Sequence, residues 1–159
     1  MSQINKLIIY YFSGTGNARQ SAEWIAESMQ HNNILAEIFN IAKKTEPEAI
    51  SDSSGTLLGF CFPTHGFNAP PIMLRFLSQL PRTKNKTKVF LLNTRAGMKL
   101  SKLFTPGLNG LALILPAIIL RLKGYRIIAY RPIDLPSNWI SVHPGLKQTV
   151  INSIVGRCA

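Results

Sequence analysis

The stretch that decides the fold is KLIIYYFSGTGN, which begins at Lys6 and ends at Asn17. Residues 6–12 form a mostly apolar run of strand formers, typical of a strand buried on both faces of a parallel sheet. The glycine-rich turn SGTGN of residues 13–17 follows at once, and a helical pattern begins directly after it. Strand, glycine-rich turn and helix in immediate succession predict the first unit of an α/β fold.

The remaining chain repeats this alternation of strands and helices. The first helix has an apolar stripe at helical spacing, namely Ala18, Ala22, Ile25, Ala26 and Met29, and it stops at residues 31–33. Further strands are predicted at residues 34–41, 57–62, 88–93 and 125–131, and further helices at residues 70–80 and from about Pro144. Five such strands favour a doubly wound, five-stranded parallel sheet with order 2-1-3-4-5 and helices on both faces.

The composition indicates one globular domain over residues 1–159, because 46% of the residues are hydrophobic and only 16% are charged. The first residues lack the basic region and cleavage site of a signal peptide, so we expect a cytoplasmic protein. The two cysteines, Cys61 and Cys158, cannot supply a four-cysteine zinc or iron–sulfur site.

The net charge of +11 is compatible with binding to nucleic acid or to a membrane surface, with a face that meets an acidic partner, or with a solvated basic surface. Nucleic acid is disfavoured, because aromatic residues are not interleaved with the basic ones. The strongly apolar residues 103–122 bear on the same alternatives. They are interrupted by Pro106, Gly110 and Pro116, so they do not suit a membrane span. Two interpretations stay open for them: a buried or kinked crossover helix, or an apolar patch within a docking region at residues 95–123.

The turn after the first strand carries the strongest chemical signal. Gly14 and Gly16 allow close approach of the backbone, and the helix beginning near Asn17 directs its free amides to the same place. Ser13, Thr15 and Asn17 add side-chain donors, so the turn predicts a phosphate cradle. Other phosphate motifs fit less well: no Gly-Lys-Ser/Thr follows, and Arg19 stands where a dinucleotide-binding turn has its third glycine. The alternative is a tight strand-to-helix turn without a ligand.

Three segments resemble flavodoxins, and more closely the flavodoxin domain of fused flavodoxin–ferredoxin proteins. They are YFSGTGN at residues 11–17, FPTHGF at residues 62–67 and LPSNWI at residues 135–140. The resemblance spans nearly the whole chain and implies non-covalent FMN and electron transfer. It also implies that the chain is truncated before a ferredoxin module with iron–sulfur clusters, a naturally short protein being the alternative. The partner would be a redox protein or that fused module.

The resemblance assigns roles to three loops and one aromatic residue. Six residues would hold the FMN phosphate: Ser13, Gly14, Thr15, Gly16, Asn17 and Ala18. Another six would lie against the isoalloxazine ring: Pro63, Thr64, His65, Gly66, Phe67 and Asn68. Gly66 is the candidate for a peptide flip on reduction, and His65 or Phe67 for stacking. Asn93, Thr94, Arg95, Ala96 and Gly97 would reach the pyrimidine edge by their backbone, and Trp139 or Met98 would supply the second stacking wall.

Three functions stay open. The first is an FMN-binding electron carrier, the second an NAD(P)H-dependent flavin or quinone reductase, and the third a docking domain that no longer binds FMN. Positive charge near the ring, from Arg95 and His65, would stabilise the reduced flavin anion. We therefore expect a less negative potential than that of acidic flavodoxins.

Overall fold

The computed structural model describes residues 4–43, 55–100, 103–105, 107–136 and 148–156. Within these ranges the strands are β1 (Lys6–Tyr11), β2 (Leu35–Asn40), β3 (Thr56–Pro63), β4 (Lys88–Leu100), β5 (Leu103–Thr105) and β6 (Arg126–Pro136). The helices are α1 (Asn17–His31), α2 (Pro71–Gln79), α3 (Ile114–Leu122) and α4 (Gln148–Val155). The predicted start of the last helix, Pro144, lies outside the described residues.

Five strands form a parallel sheet. Strand β1 pairs with β2 on one side and with β3 on the other, β3 pairs with β4, and β4 pairs with β6. Because β6 is the fifth parallel strand along the chain, the order β2-β1-β3-β4-β6 confirms the predicted order 2-1-3-4-5. Strand β3, which is apolar from Leu57 to Pro63, lies at the centre, as expected for a strand covered on both faces.

Helices cover both faces of the sheet, and each face has its own apolar cluster. On one face, α2 and α3 bury Met73, Leu77 and Leu120 against Phe60 and Leu91. On the other face, α1 buries part of its predicted apolar stripe, including Ala22 and Ala26, against Leu7 and Ile9. The predicted placement of helices on both faces is therefore confirmed.

Strand β4 is longer than predicted, and this changes the site. The prediction ended the strand at Asn93, but pairing with β6 continues to Gly97, opposite Pro136. Residues 98–100 then pair with the antiparallel strand β5. The expectation that residues 93–97 form a loop is therefore wrong, because two partner strands extend the ladder beyond the apolar run.

The apolar segment at residues 103–122 has features of both predicted alternatives, a buried helix and an exposed apolar patch. Its first residues form β5, and the helix is confined to α3, which follows an irregular stretch at residues 107–109 and turns at residues 110–113. One face of α3 is buried, while Ile114 and Ile118 on another face are exposed. No helix in the described ranges is long and apolar enough to span a membrane.

We predict that Leu91→Ala lowers the free energy of unfolding by about 2–5 kcal/mol, because Leu91 is fully buried between the sheet and α2 and α3. Leu35→Ala is the matched control, since Leu35 is 57% exposed on the edge strand β2. The control should cost less than about 1 kcal/mol in chemical denaturation. Equal losses for the two variants would contradict the described core.

Candidate functional site

The site lies where the strand order reverses. From β1 the chain passes to β2 at one side, whereas β3 lies at the other side of β1, so the loops after β1 and β3 meet at the carboxyl edge of the sheet. The rings of Phe12 and His65 join these loops, edge to face, with centroids 6.1 Å apart. A crevice of this kind is where open α/β sheets bind ligands.

The phosphate-loop candidates form an open turn at the start of α1. The backbone N–H of Gly16 donates to Oγ of Ser13 over 3.0 Å and closes the turn. Gly16 is the N-cap of α1 with φ of 98°, a conformation that favours glycine. A Cβ at Gly14 or at Gly16 would meet no atom within 4 Å, so the space around both glycines is open.

The N-terminus of α1 suits an anion. No side chain among the described residues caps it, and its first turn contains no acidic residue. The first amides of a helix have no intrahelical acceptor, and the helix dipole places partial positive charge there. Ala18 is buried and offers only its backbone, while Arg19 is held by Glu23 over 2.7 Å.

The side chain of Asn17 contacts the end of β6. Its Nδ2 donates to the carbonyl of Pro136 over 3.0 Å. This bond ties the turn after β1 to β6 and uses one of the two N–H groups of the amide. The contribution of the Asn17 side chain to a phosphate site stays a prediction.

The loop after β3 is a tight turn with unusual backbone conformations. His65 and Asn68 exchange two backbone hydrogen bonds of 2.8 and 3.0 Å, around Gly66 at φ 53° and Phe67 at φ 61°. Positive φ at both central residues defines a type I′ turn, which strains a residue such as Phe67. A flip of the Gly66–Phe67 peptide gives a type II′ turn, which requires positive φ only at the glycine. Phe67 is also 60% exposed.

Polar residues at the ends of β3 and β4 are buried beneath a third segment. Asn93 is fully buried, and its Nδ2 donates to Oγ1 of Thr64 over 2.6 Å and to Oδ1 of Asn109. Among the described residues, Oδ1 of Asn93 has no hydrogen-bond partner. The N–H of Thr64 donates to the carbonyl of Thr94 over 2.8 Å, which fixes the two strand ends together. Asn93 thus joins the loops rather than facing a ligand by its side chain.

The guanidinium of Arg95, which the sequence analysis places near the flavin ring, is paired with a carboxylate. Its Nε and Nη2 donate to Asp134 over 2.8 and 3.0 Å, and both side chains are more than four-fifths buried. The same carboxylate accepts the N–H of Gly107 over 2.8 Å. The positive charge of Arg95 is therefore compensated locally.

Residues 107–111, which the sequence did not assign to the site, pack against the end of β4 and the loop after β3. Gly107 lies against the carbonyl of Ala96, Asn109 against Asn93, and the N–H of Leu111 donates to the carbonyl of Phe67 over 2.7 Å. A signal was present, since Asn109-Gly110 is a turn dipeptide inside an apolar run. Asp134 was also missed; it is the sole acidic residue after Asp52 in the sequence.

The remaining predicted site residues lie apart from these contacts. Trp139 falls outside the described residues, and for Met98 and Gly97 the structure gives strand pairing alone. Pro63 ends β3 opposite Thr94. Nearby Cys61 is fully buried, and burial raises the pKa of its thiol, so it is a neutral packing residue.

These residues fit the phosphate of a flavin nucleotide. The uncapped helix N-terminus, the open space at both glycines and the adjoining strained turn supply an anion cradle beside a surface for an aromatic ring. The solved structures that are similar to this chain include two flavodoxins and a quinone oxidoreductase. Oxidised flavodoxin 1 from Bacillus cereus matches with TM-score 0.60 and 17% identity, covering 96% of this chain and 94% of that one. The chain has a flavodoxin-like fold.

Two further matches have comparable values. The Fusobacterium nucleatum flavodoxin bound to flavin mononucleotide has TM-score 0.56 and 14% identity, covering 96% of this chain and 95% of that one. The NAD(P)H:quinone oxidoreductase from Methanothermobacter marburgensis has TM-score 0.58 and 12% identity, covering 96% and 92%. Neither a protein-family model nor a curated protein matches the sequence. At these identities the matches establish the fold.

We predict that Gly110→Ala destabilises the protein more than Gly66→Ala does. Both glycines have positive φ, but a Cβ at Gly110 would overlap the backbone of Phe67, whereas a Cβ at Gly66 meets open space. We expect losses of about 2–4 kcal/mol for Gly110→Ala and about 1 kcal/mol for Gly66→Ala in chemical denaturation. If the order were reversed, residues 107–111 would not pack on the turn as described.

Proposed function

We propose that the chain binds FMN non-covalently and transfers electrons through it. The observation that carries this proposal is the open, uncapped N-terminus of α1, which lies beside the strained His65–Asn68 turn at the switch point. The backbone of residues 13–18 holds the phosphate, since its amides and the helix dipole favour a dianion. FMN supplies one-electron and two-electron redox chemistry when bound.

The turn after β3 is the element that responds to the flavin in this proposal. Gly66 tolerates either orientation of the Gly66–Phe67 peptide, and the flip releases the positive φ of Phe67. The exposed ring of Phe67 gives the isoalloxazine an aromatic neighbour. His65 packs edge-on against Phe12, so its ring positions the turn.

A second candidate is a flavin or quinone reductase that uses NAD(P)H. The observation in its favour is the exposure of Phe67, which accords with a flavin face open to a second substrate. Steady-state oxidation of NADH or NADPH by the FMN-loaded protein, with a quinone as acceptor, would support it.

Failure to bind added FMN would instead favour a docking domain. As an electron carrier, the protein would work in the cytoplasm with a redox protein or a fused ferredoxin-type module.

We predict that Gly14→Asp weakens FMN binding by about two orders of magnitude, because it adds a carboxylate to the phosphate loop. Gly14→Asn is the matched control: it has nearly the same shape without the charge, and open space surrounds position 14. Fluorescence titration should show a much smaller effect for Gly14→Asn. Riboflavin, which lacks the phosphate, should bind both variants alike. Equal FMN affinities for Asp and Asn would contradict the assigned phosphate site.

We also predict that the fully reduced flavin forms at a less negative potential than in acidic flavodoxins. Twelve basic and no acidic residues lie between Asp52 and Asp134, and they favour an anion in this half of the molecule. The charge of Arg95 contributes little, since Asp134 compensates it. Potentiometric titration at low and high salt measures the effect, which salt should reduce. A potential as negative as that of acidic flavodoxins would refute the argument.

A further inference from the structure

One face of α3 presents aliphatic side chains to solvent. The strip consists of Ile114, Ile118 and Leu122 on α3 and of Leu111 in the turn directly before the helix, at intervals of three and four residues. We call them the α3 strip; their exposed fractions are 50%, 52%, 45% and 70%. The opposite face of α3 is buried through Ala117 and Leu120. The core is therefore packed by the other face of α3, and the α3 strip does not contribute to it.

Basic residues surround the end of this strip. Arg121 lies on α3 and contacts Tyr130 through its guanidinium, which is 5.8 Å from the ring centroid. The exposed Arg82 and Lys84 flank Thr83, whose N–H donates to the carbonyl of Lys123 over 2.9 Å at the end of α3. Arg126 is exposed at the start of the following strand β6.

The charges of the molecule are strongly segregated. The segment that contains α2, β4, α3 and most of β6 has twelve basic and no acidic residues between Asp52 and Asp134. The acidic residues of the described elements lie elsewhere: Glu23 and Glu27 on α1, and Glu37 on β2 at the far edge of the sheet. Asp134 is paired with Arg95. The field therefore orients the α3 side toward an anionic surface.

We propose that the α3 strip and its basic rim dock the protein on an anionic lipid bilayer. Aliphatic side chains on one face of a helix, with arginine and lysine at its border, are typical of helices that lie in the bilayer interface. Tyr130, held by Arg121, supplies an aromatic group suited to the headgroup level. An acidic protein is the less suitable partner, because protein interfaces rely on aromatic and arginine anchors fitted into pockets rather than on leucine.

The strip begins beside the candidate site. The N–H of Leu111 donates to the carbonyl of Phe67, and Gly110 lies against the Cβ of Phe67. Docking through the strip therefore brings the His65–Asn68 turn close to the bilayer. The docking itself does not rest on flavin binding, so it can fail or succeed independently of the proposed function.

Vesicle sedimentation of the full chain tests this proposal. The wild type is mixed with phosphatidylcholine vesicles, or with vesicles containing about one-third phosphatidylglycerol. Ile118→Asp is compared with Leu35→Asp, which makes the same charge change at an exposed aliphatic residue on β2. Ile118→Gln removes the apolar contact without adding charge and replaces Ile118→Asp if circular dichroism shows that variant to be unfolded.

We expect binding to the anionic vesicles alone, with a loss on adding salt. Ile118→Asp should lower the partition coefficient about tenfold or more, and Leu35→Asp should change it less than about twofold. Equal effects of both substitutions, or no binding of the wild type at low salt, would overturn the proposal. Polyglutamate is the probe for an acidic protein partner. If the wild type bound polyglutamate as tightly as the anionic vesicles, and Ile118→Gln left that binding unchanged, the proposal would also be overturned. A wild-type dimer that Ile118→Gln dissociates, without vesicle binding, would identify a contact between two copies.

Discussion

The parallel pairing of β1 with β3 is the interaction on which the rest of the structure depends. Its register sets Tyr11 beside Cys61, so the chain leaves both strands at the same level of the sheet. Each strand is covered by apolar side chains on both faces, so a one-residue slip would move every side chain into the packing of the opposite face, which is close-packed around other side chains. This register brings the glycine-rich turn and the His65–Asn68 turn together, and it creates the crevice.

A second set of contacts joins the remaining loops to this centre. Asn93 connects Thr64 with Asn109, and Asp134 holds both Arg95 and Gly107. These groups are buried or nearly so, and polar groups of this kind are costly to separate from their partners. Residues 107–111 are thereby fixed against the site, and the same segment leads directly into α3. The site and the exposed α3 strip are therefore parts of one continuous arrangement.

The local patterns were sufficient to predict the architecture but not the details of its edges. Buried parallel strands are apolar runs and α1 has a helical stripe, so the sequence predicts the sheet order and the turn between β1 and α1 correctly. The end of β4 could not be predicted, since residues 94–97 become strand by pairing with β6 about forty positions later. The pair of Arg95 and Asp134 depends on the same distant register. For α3, periodicity indicated a helix, but only the packing of α2 and β6 determines which side stays exposed.

The central claim is that the open N-terminus of α1 is a phosphate site for FMN. Its most direct measurement is the visible absorption spectrum of the protein after incubation with FMN, or with riboflavin, followed by desalting. We expect the flavin bands to remain with FMN and to be largely lost with riboflavin, because the proposed site at residues 13–18 binds the phosphate that riboflavin lacks. A protein that is colourless after both treatments, or that retains both flavins equally, would contradict it.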